Sequence, residues 1–142
     1  MFHIDLTADP SPADEALVMA GTRAHNAAFM QADAKRLCVF ARDAAGAIIG
    51  GVTASTYWDY LDVKFLWVHE QHRHLGLATQ VMRAAHAEAW RRGCKNVFLD
   101  TFSFQARGFY ERLGYREFGR LSGFSGQHER HFMHKALTDP HA

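Results

Sequence analysis

The chain has 142 residues, of which 48% are apolar, and it carries a formal net charge of +1. This length and composition predict one folded domain over residues 1–142 and exclude an intrinsically disordered chain. The near-zero charge argues against nucleic-acid and membrane partners. The two cysteines have no CxxC spacing, and the N-terminus lacks the basic and apolar regions of a signal peptide. We therefore expect a cytoplasmic protein without disulfides.

The N-terminal quarter of the chain predicts one strand and one helix. Residues 2–6 alternate weakly between apolar and polar side chains, which is typical of a short strand. Ser11 and Pro12 suit the N-cap and the first position of a helix, and the acidic residues after them favour its positive end. We expect this helix over residues 13–30, with Gly21 as a point where it can divide. Residues 21–34 fit both helix and loop.

Three strands are predicted next. Residues 37–41 and 47–58 carry strand patterns, and the turn-forming residues 43–46 between them indicate a hairpin. Residues 61–68 alternate more clearly. An unbroken strand there would place Leu61, Val63, Phe65 and Trp67 on one face, and Asp62, Lys64, Leu66 and Val68 on the other.

The second half of the chain alternates between helices and strands. Residues 76–92 have apolar side chains at helical spacing, and Gly93 suits the position just after a helix end. Residues 95–101 predict a strand, residues 105–113 a short helix, and residues 115–121 and 129–137 two final strands. This order indicates an α/β fold with a mixed sheet, in which the strands flanking the long helix run parallel.

The turn between the third strand and the long helix has the features of an anion site. The first N–H groups of a helix have no partner inside it, and the helix dipole favours negative charge there. Gly76 lets a phosphate approach the backbone, and Arg73 adds a fork of donors. The pattern Arg73-x-x-Gly76-x-Ala78 resembles the pyrophosphate-binding motif of the GCN5-related N-acetyltransferases (GNATs). Residues 106–115, which read Ala-Arg-Gly-Phe-Tyr-Glu-Arg-Leu-Gly-Tyr, resemble the late helix of the same family.

The resemblance covers residues 36–137 and implies a single-domain GNAT-like fold, with a mixed central sheet whose parallel strands splay apart. It also implies acetyl-CoA as co-substrate, with its pantetheine arm inserted between those strands. Backbone groups of Leu66, Trp67 and Val68 would then bind the arm and the acetyl carbonyl. The pyrophosphate would lie against the turn and helix start formed by Arg73, His74, Leu75, Gly76, Leu77, Ala78 and Thr79.

Several side chains are candidates for the chemistry. By the resemblance, Tyr110 would protonate the departing thiolate, although its place on an apolar helix face also fits a core tyrosine. Ser103 stands where the family often has Asn, so it fits either a cofactor contact or a helix N-cap. Asp62 and Asp100 are candidates for the base that takes a proton from the amine, and each also fits an ordinary surface carboxylate.

Aromatic and acidic residues near the expected crevice favour a small cationic amine as acceptor. Tyr57, Trp58, Tyr60, Phe102 and Phe104 could line it, or could simply pack in the core and rim. The His72/His74 and His131/His134 pairs lack further ligands at zinc spacing, so we expect no metal. The resemblance also makes a homodimer possible.

Two other functions remain open from the sequence. An acyl-CoA-binding regulatory module would keep the turn at Arg73 but lack turnover. A nucleotide-binding βαβ domain is a further alternative, since Asp100 ends a predicted strand. That fingerprint, however, needs three glycines where this turn has one. The leading prediction is an acetyl-CoA-dependent N-acetyltransferase in which a primary amine attacks the thioester directly.

Overall fold

The computed structural model describes residues 1–142. The chain divides into two compact units, residues 1–32 and residues 33–142. The prediction of one domain over the whole chain stays a prediction. The predicted α/β architecture, in contrast, is confirmed by the mixed sheet and helices of the second unit.

The first unit contains helix α1, Pro12–Asn26. Its start is the predicted one, because the Asp14 N–H donates to the Ser11 hydroxyl at 3.1 Å and proline follows the cap. Gly21 does not divide the helix, and the helix ends four residues earlier than expected. The strand predicted over residues 2–6 is wrong. These residues pair with no other strand, and a strand without a partner leaves its backbone groups unbonded.

The second unit is built on a six-stranded sheet with the order β1-β2-β3-β4-β6-β5. Its strands are β1 Lys35–Arg42, β2 Ile48–Tyr57, β3 Tyr60–Val68, β4 Asn96–Phe102, β5 Arg116–Phe124 and β6 His128–Ala136. A 3₁₀ turn at Glu70–His72, helix α2 at Leu77–Arg91 and helix α3 at Arg107–Arg112 connect them. Neighbouring strands are antiparallel with one exception. Strands β3 and β4, which precede and follow α2 in the chain, run parallel as predicted.

Helix α2 supplies the centre of the core. Its buried residues Val81, Met82, Ala85 and Ala89 recur at helical spacing and pack with the buried residues of the sheet. The helix ends as predicted, because Gly93 has φ +92 and follows the C-terminal turn. This packing fixes the N-terminus of α2 beyond the ends of β3 and β4, where the predicted anion turn lies.

A bulge in β3 overturns the predicted division of its faces. Phe65 pairs with Thr53 and Val63 with Ala54, so Lys64 is an extra residue in the ladder. The alternation therefore changes phase at Lys64. Leu61 and Val63 are buried, whereas Phe65 and Trp67 are 75% and 49% exposed. Leu66, paired with Val52, lies on the buried face. Sequence periodicity assumes an unbroken strand, which is why it missed this change.

The parallel pairing between β3 and β4 is short. It joins residues 60–62 to residues 96–98 and then stops, although both strands continue. Beyond Asp62, β3 still pairs with β2 on one edge, and β4 still pairs with β6 on its far edge. The two strands therefore diverge toward their C-terminal ends, as the resemblance implied.

Candidate functional site

A crevice of about 690 Å³ opens where β3 and β4 diverge. One side consists of the end of β3, the turn after it and the start of α2. The other side comes from the segment after β4 and from α3. Of the predicted cofactor residues, nine line it: Leu66, Trp67, Val68, Arg73, His74, Gly76, Leu77, Ala78 and Thr79.

The turn at Gly76 is shaped for an anion. Gly76 is the N-cap of α2 with φ +78 and ψ +9, and no side chain caps the first N–H groups of the helix. A Cβ added at Gly76 would meet no atom within 4 Å, so the space beside its backbone is open. The Arg73 Nε donates to the Val68 carbonyl at 3.0 Å, which leaves the two terminal nitrogens of the guanidinium for a ligand.

Two histidines flank Arg73 in the same crevice. His74 has φ +65, a left-handed conformation that a non-glycine residue rarely adopts, and such strain is concentrated at functional sites. His72 has a buried Nδ1 without a hydrogen-bond partner. A buried polar atom is normally paired, so this nitrogen is one that a bound molecule could satisfy.

The edge of β3 that faces the crevice is open. After Asp62 no strand pairs with it on that side, although its other edge remains bonded to β2 through Val68. An unpaired strand edge presents N–H and C=O groups in an extended row. An elongated molecule with amide groups can bind there as an added strand does. This geometry fits the pantetheine arm that the resemblance implied at Leu66, Trp67 and Val68.

Tyr110 lies on α3 next to the crevice-lining residue Phe109 and does not itself line the crevice. It is 7% exposed and contacts the rings of Phe109 and Tyr115, with centroids 5.2 and 5.6 Å away. Burial, and secondarily the negative charge of Asp100, raises the pKa of Tyr110 to about 12. The phenol is therefore protonated at neutral pH and is able to donate a proton.

Asp62 lies at the point where β3 and β4 separate. Its carboxylate is buried, and the same oxygen, Oδ2, accepts from the Tyr57 hydroxyl and lies against the Lys64 ammonium, each at 2.9 Å. Burial, followed by the hydrogen bond and charge of Asp62, raises the pKa of Tyr57 to about 12. The predicted grouping of Asp62 with Leu66 and Val68 is wrong, because the bulge at Lys64 puts those two on the buried face.

Asp100 is exposed at the end of β4 and is ion-paired. Its Oδ2 accepts from the Arg130 Nε at 2.7 Å, and the guanidinium also lies over the rings of Phe102 and Phe132. The carboxylate is thus held in place rather than free. Its charge nevertheless reaches Tyr110 and favours the protonated phenol.

Ser103 and Leu75 do not line the crevice. The N-cap of α3 is Ala106, so the N-cap interpretation of Ser103 is wrong. The Ser103 hydroxyl instead accepts from the Glu129 N–H at 3.1 Å and ties the segment after β4 to β6. Gln105 bonds back to the end of β4, since its Oε1 accepts from the Phe102 N–H at 2.8 Å.

The crevice also contains residues that sequence reasoning did not assign to it. Gln105, Phe109 and Arg112 line the side opposite the anion turn. The signal for Arg112 was available, since it lies on the late helix three residues after Phe109. The expected aromatic wall is instead divided. Phe102 stacks on Phe104 with centroids 5.4 Å apart, and of the five predicted aromatic residues only Phe104 lines the crevice.

The remaining histidines and the cysteines have local partners or burial of their own. His131 is buried and hydrogen-bonds to Glu117, while His134 hydrogen-bonds to Asn96 at 2.8 Å. Cys38 is exposed on β1 and Cys94 is buried, and the two are not joined. Burial raises the pKa of the Cys94 thiol. No helix in the structure is both long and apolar enough to span a bilayer.

Comparison with known proteins gives a consistent result. A family model described as the acetyltransferase (GNAT) family matches residues 4–115. A blasticidin-S acetyltransferase from Streptomyces morookaense is 33% identical over 109 residues, which are 74% of this chain and 80% of that protein. Acetyltransferase Atu2258 from Agrobacterium fabrum is 32% identical over 99 residues, 70% of this chain and 72% of that protein. An acetyltransferase structure from Bacillus cereus superposes with a TM-score of 0.87 at 30% identity, covering 96% of this chain and 98% of that one.

Proposed function

This chain is an acetyltransferase of the GNAT family, and from this premise we propose that it transfers the acetyl group of acetyl-CoA to the primary amine of a small cationic molecule. Acetyl-CoA, as the co-substrate, supplies an activated thioester carbonyl. The observation that carries the proposal is the opening between β3 and β4, which leads to the uncapped N-terminus of α2. One crevice thus offers an extended backbone edge and an anion site in the order that this co-substrate requires.

The turn residues hold the charged part of the co-substrate. The free N–H groups at the start of α2 and the terminal nitrogens of Arg73 donate to the pyrophosphate. Farther along β3, the open backbone edge at Leu66, Trp67 and Val68 binds the pantetheine amides and orients the carbonyl. An N–H directed at the carbonyl oxygen favours attack, because negative charge develops on that oxygen.

Tyr110 provides the proton for the departing sulfur. Its raised pKa, about 12, keeps the phenol protonated throughout the physiological range. Asp100 supports this role from a distance, because its negative charge disfavours the phenolate. The two residues therefore have different roles in this proposal, even though both were predicted to be catalytic.

Asp62 recognises the acceptor and receives its proton. The Lys64 ammonium lies 2.9 Å from this carboxylate, so Asp62 already binds one primary ammonium group, that of the chain's own lysine. The aromatic pair of Tyr60 and Phe98, with ring centroids 5.7 Å apart, lies on the same strands beside it. A cationic amine that displaces Lys64 would meet one carboxylate and two aromatic rings. The relative named for blasticidin S makes an antibiotic amine a natural first substrate to test.

We propose that the amine attacks the thioester directly, without an acetylated enzyme. Neither Cys38 nor Cys94 lines the crevice, and burial raises the pKa of Cys94, which keeps its thiol protonated.

The same two unpaired thiols support a reducing, cytoplasmic location. A homodimer is also part of the proposal, since β5 is an edge strand with Phe118 exposed. Nucleic-acid and membrane partners are not part of it.

The test is release of free thiol from acetyl-CoA with a panel of amines that includes blasticidin S, an aminoglycoside, a polyamine and an aromatic amine that is uncharged at neutral pH. We expect release that depends on a cationic amine. Tyr110→Phe should lower kcat by roughly 10- to 100-fold. Tyr115→Phe is the matched control, because Tyr115 is a buried neighbour whose hydroxyl bonds to His86. Equal losses in both variants would remove the acid role from Tyr110.

A non-catalytic acyl-CoA-binding module is the second candidate. It is favoured by the fact that Asp62 and Asp100 are both already engaged by cations. CoA binding without thiol release over the whole panel would support it and would contradict the transferase proposal. Absence of CoA binding would contradict both.

A further inference from the structure

A second cavity, of about 440 Å³, lies beside the middle of α2. Arg83 and His86 line it from the helix, Lys135 lines it from β6, and Thr138 and Asp139 line it from the segment after β6. It shares no lining residue with the cofactor crevice. The proposed acetyl transfer makes no use of this cavity.

The positive charges around this cavity lack the acidic partners found elsewhere in the protein. Arg91 and Arg130 are each bonded to a carboxylate, whereas Arg83 forms no ion pair. The Lys135 ammonium donates to the Leu113 carbonyl at 2.6 Å, and this neutral group leaves its charge uncompensated.

One acid and one neutral histidine complete the surroundings of these charges. Asp139 is the acid at the rim, and its Oδ1 is engaged by the His141 N–H at 2.9 Å. His86 hydrogen-bonds through Nε2 to the Tyr115 hydroxyl at 2.6 Å. The cavity therefore combines two cations and a polar wall with one carboxylate at its rim, which leaves a net positive charge.

The basic groups around the cavity disfavour positive charge on one another. Burial, and secondarily the charge of Lys135, lowers the pKa of His86 to about 4. Burial, and secondarily the charge of Arg83, lowers the pKa of Lys135. A bound anion would relieve this repulsion, because it would stabilise the charged form of each group.

We propose that this cavity binds a small phosphate-type oxyanion, held by Arg83 and Lys135 together with the Thr138 hydroxyl. The guanidinium presents two parallel donors, and the ammonium retains two N–H groups after its bond to Leu113. A hydroxyl adds a further donor. Donors from three separate elements match an anion with several acceptor oxygens better than a planar carboxylate with two. The inference does not depend on the proposed acetyl transfer.

The test measures binding of inorganic phosphate to the full chain by calorimetry at constant ionic strength, with the cofactor crevice saturated by CoA. We expect saturable binding that Arg83→Gln weakens by at least about tenfold, the loss of one charge-assisted contact. Arg116→Gln is the matched control, because Arg116 is an exposed arginine of β5 outside the cavity. It should change the affinity by less than about twofold.

An NMR titration provides an independent readout. Phosphate should raise the pKa of His86 in the wild type and leave it unchanged in Arg83→Gln, because the bound charge stabilises the imidazolium. Absence of saturable binding, equal weakening in both variants, or binding seen only without CoA would each overturn the proposal. The last result would place the phosphate at the Gly76 turn instead.

Discussion

Replacing Gly76 with alanine tests the anion turn, because the added methyl group makes no steric clash in the ligand-free protein. The added Cβ meets no atom within 4 Å, so the penalty is conformational and arises from φ +78. A left-handed conformation costs an L-residue roughly 1–2 kcal/mol, and the stiffer unfolded chain offsets part of this. We expect a net loss of about 1 kcal/mol in the free energy of unfolding. The same Cβ would occupy the space beside the backbone where a phosphate must approach.

Gly93→Ala is the matched control at the other end of α2. Gly93 has φ +92 and its Cβ would also meet nothing within 4 Å, but it lies outside the crevice. Both variants should lose similar stability in urea unfolding. Only Gly76→Ala should weaken CoA binding, by about 10- to 100-fold, through the loss of charge-assisted contacts worth roughly 1.5–3 kcal/mol. Calorimetry that gives equal CoA affinities for the two variants would refute the assignment of the turn.

Three further outcomes follow from burial and charge. Met82→Ala should lower the free energy of unfolding by about 2–5 kcal/mol, measured in urea, because Met82 is fully buried on the core-facing side of α2. The pKa of His86 falls from 6.5 to about 4 on folding. Its neutral form thus stabilises the fold fully above pH 6.5, and up to roughly 2–3 kcal/mol is lost as pH falls to 4. His86→Gln should flatten that part of the stability profile in a chloride buffer, and an unchanged slope would contradict the burial argument. Asp62→Asn should lower kcat/KM for cationic amines by roughly tenfold or more and spare CoA affinity, whereas an equal loss for the uncharged aromatic amine would speak against ammonium recognition.

Features that depend on a few adjacent residues were predictable from the sequence. The Ser11 cap, the length of α2 and its end at Gly93 follow from side chains within one or two turns of each other. The anion turn belongs to the same class, because Gly76 and the uncapped helix start are contiguous in the chain. The order of the elements then fixed the mixed sheet, since two strands joined through a helix run parallel.

Features that depend on distant partners were not predictable. The Ser103 hydroxyl accepts from the backbone N–H of Glu129, 26 residues away, and no local sequence pattern predicts that contact. The engagement of Asp100 by Arg130 likewise requires β6 to be in place. The strand predicted over residues 2–6 is wrong because no neighbouring strand is present to pair with these alternating residues.

The extra residue at Lys64 lets β3 lose one residue there without a change in its pairing with β2. Removing Lys64 would restore a regular ladder in which Phe65 still pairs with Thr53 and Leu66 with Val52, so the two faces of the strand would keep their residues. Leu66 would therefore stay on the buried face, whereas the ammonium beside the Asp62 carboxylate would be lost. A single-codon deletion there would thus change the charge around Asp62 and leave the pairing of the core face and of the crevice edge as it is.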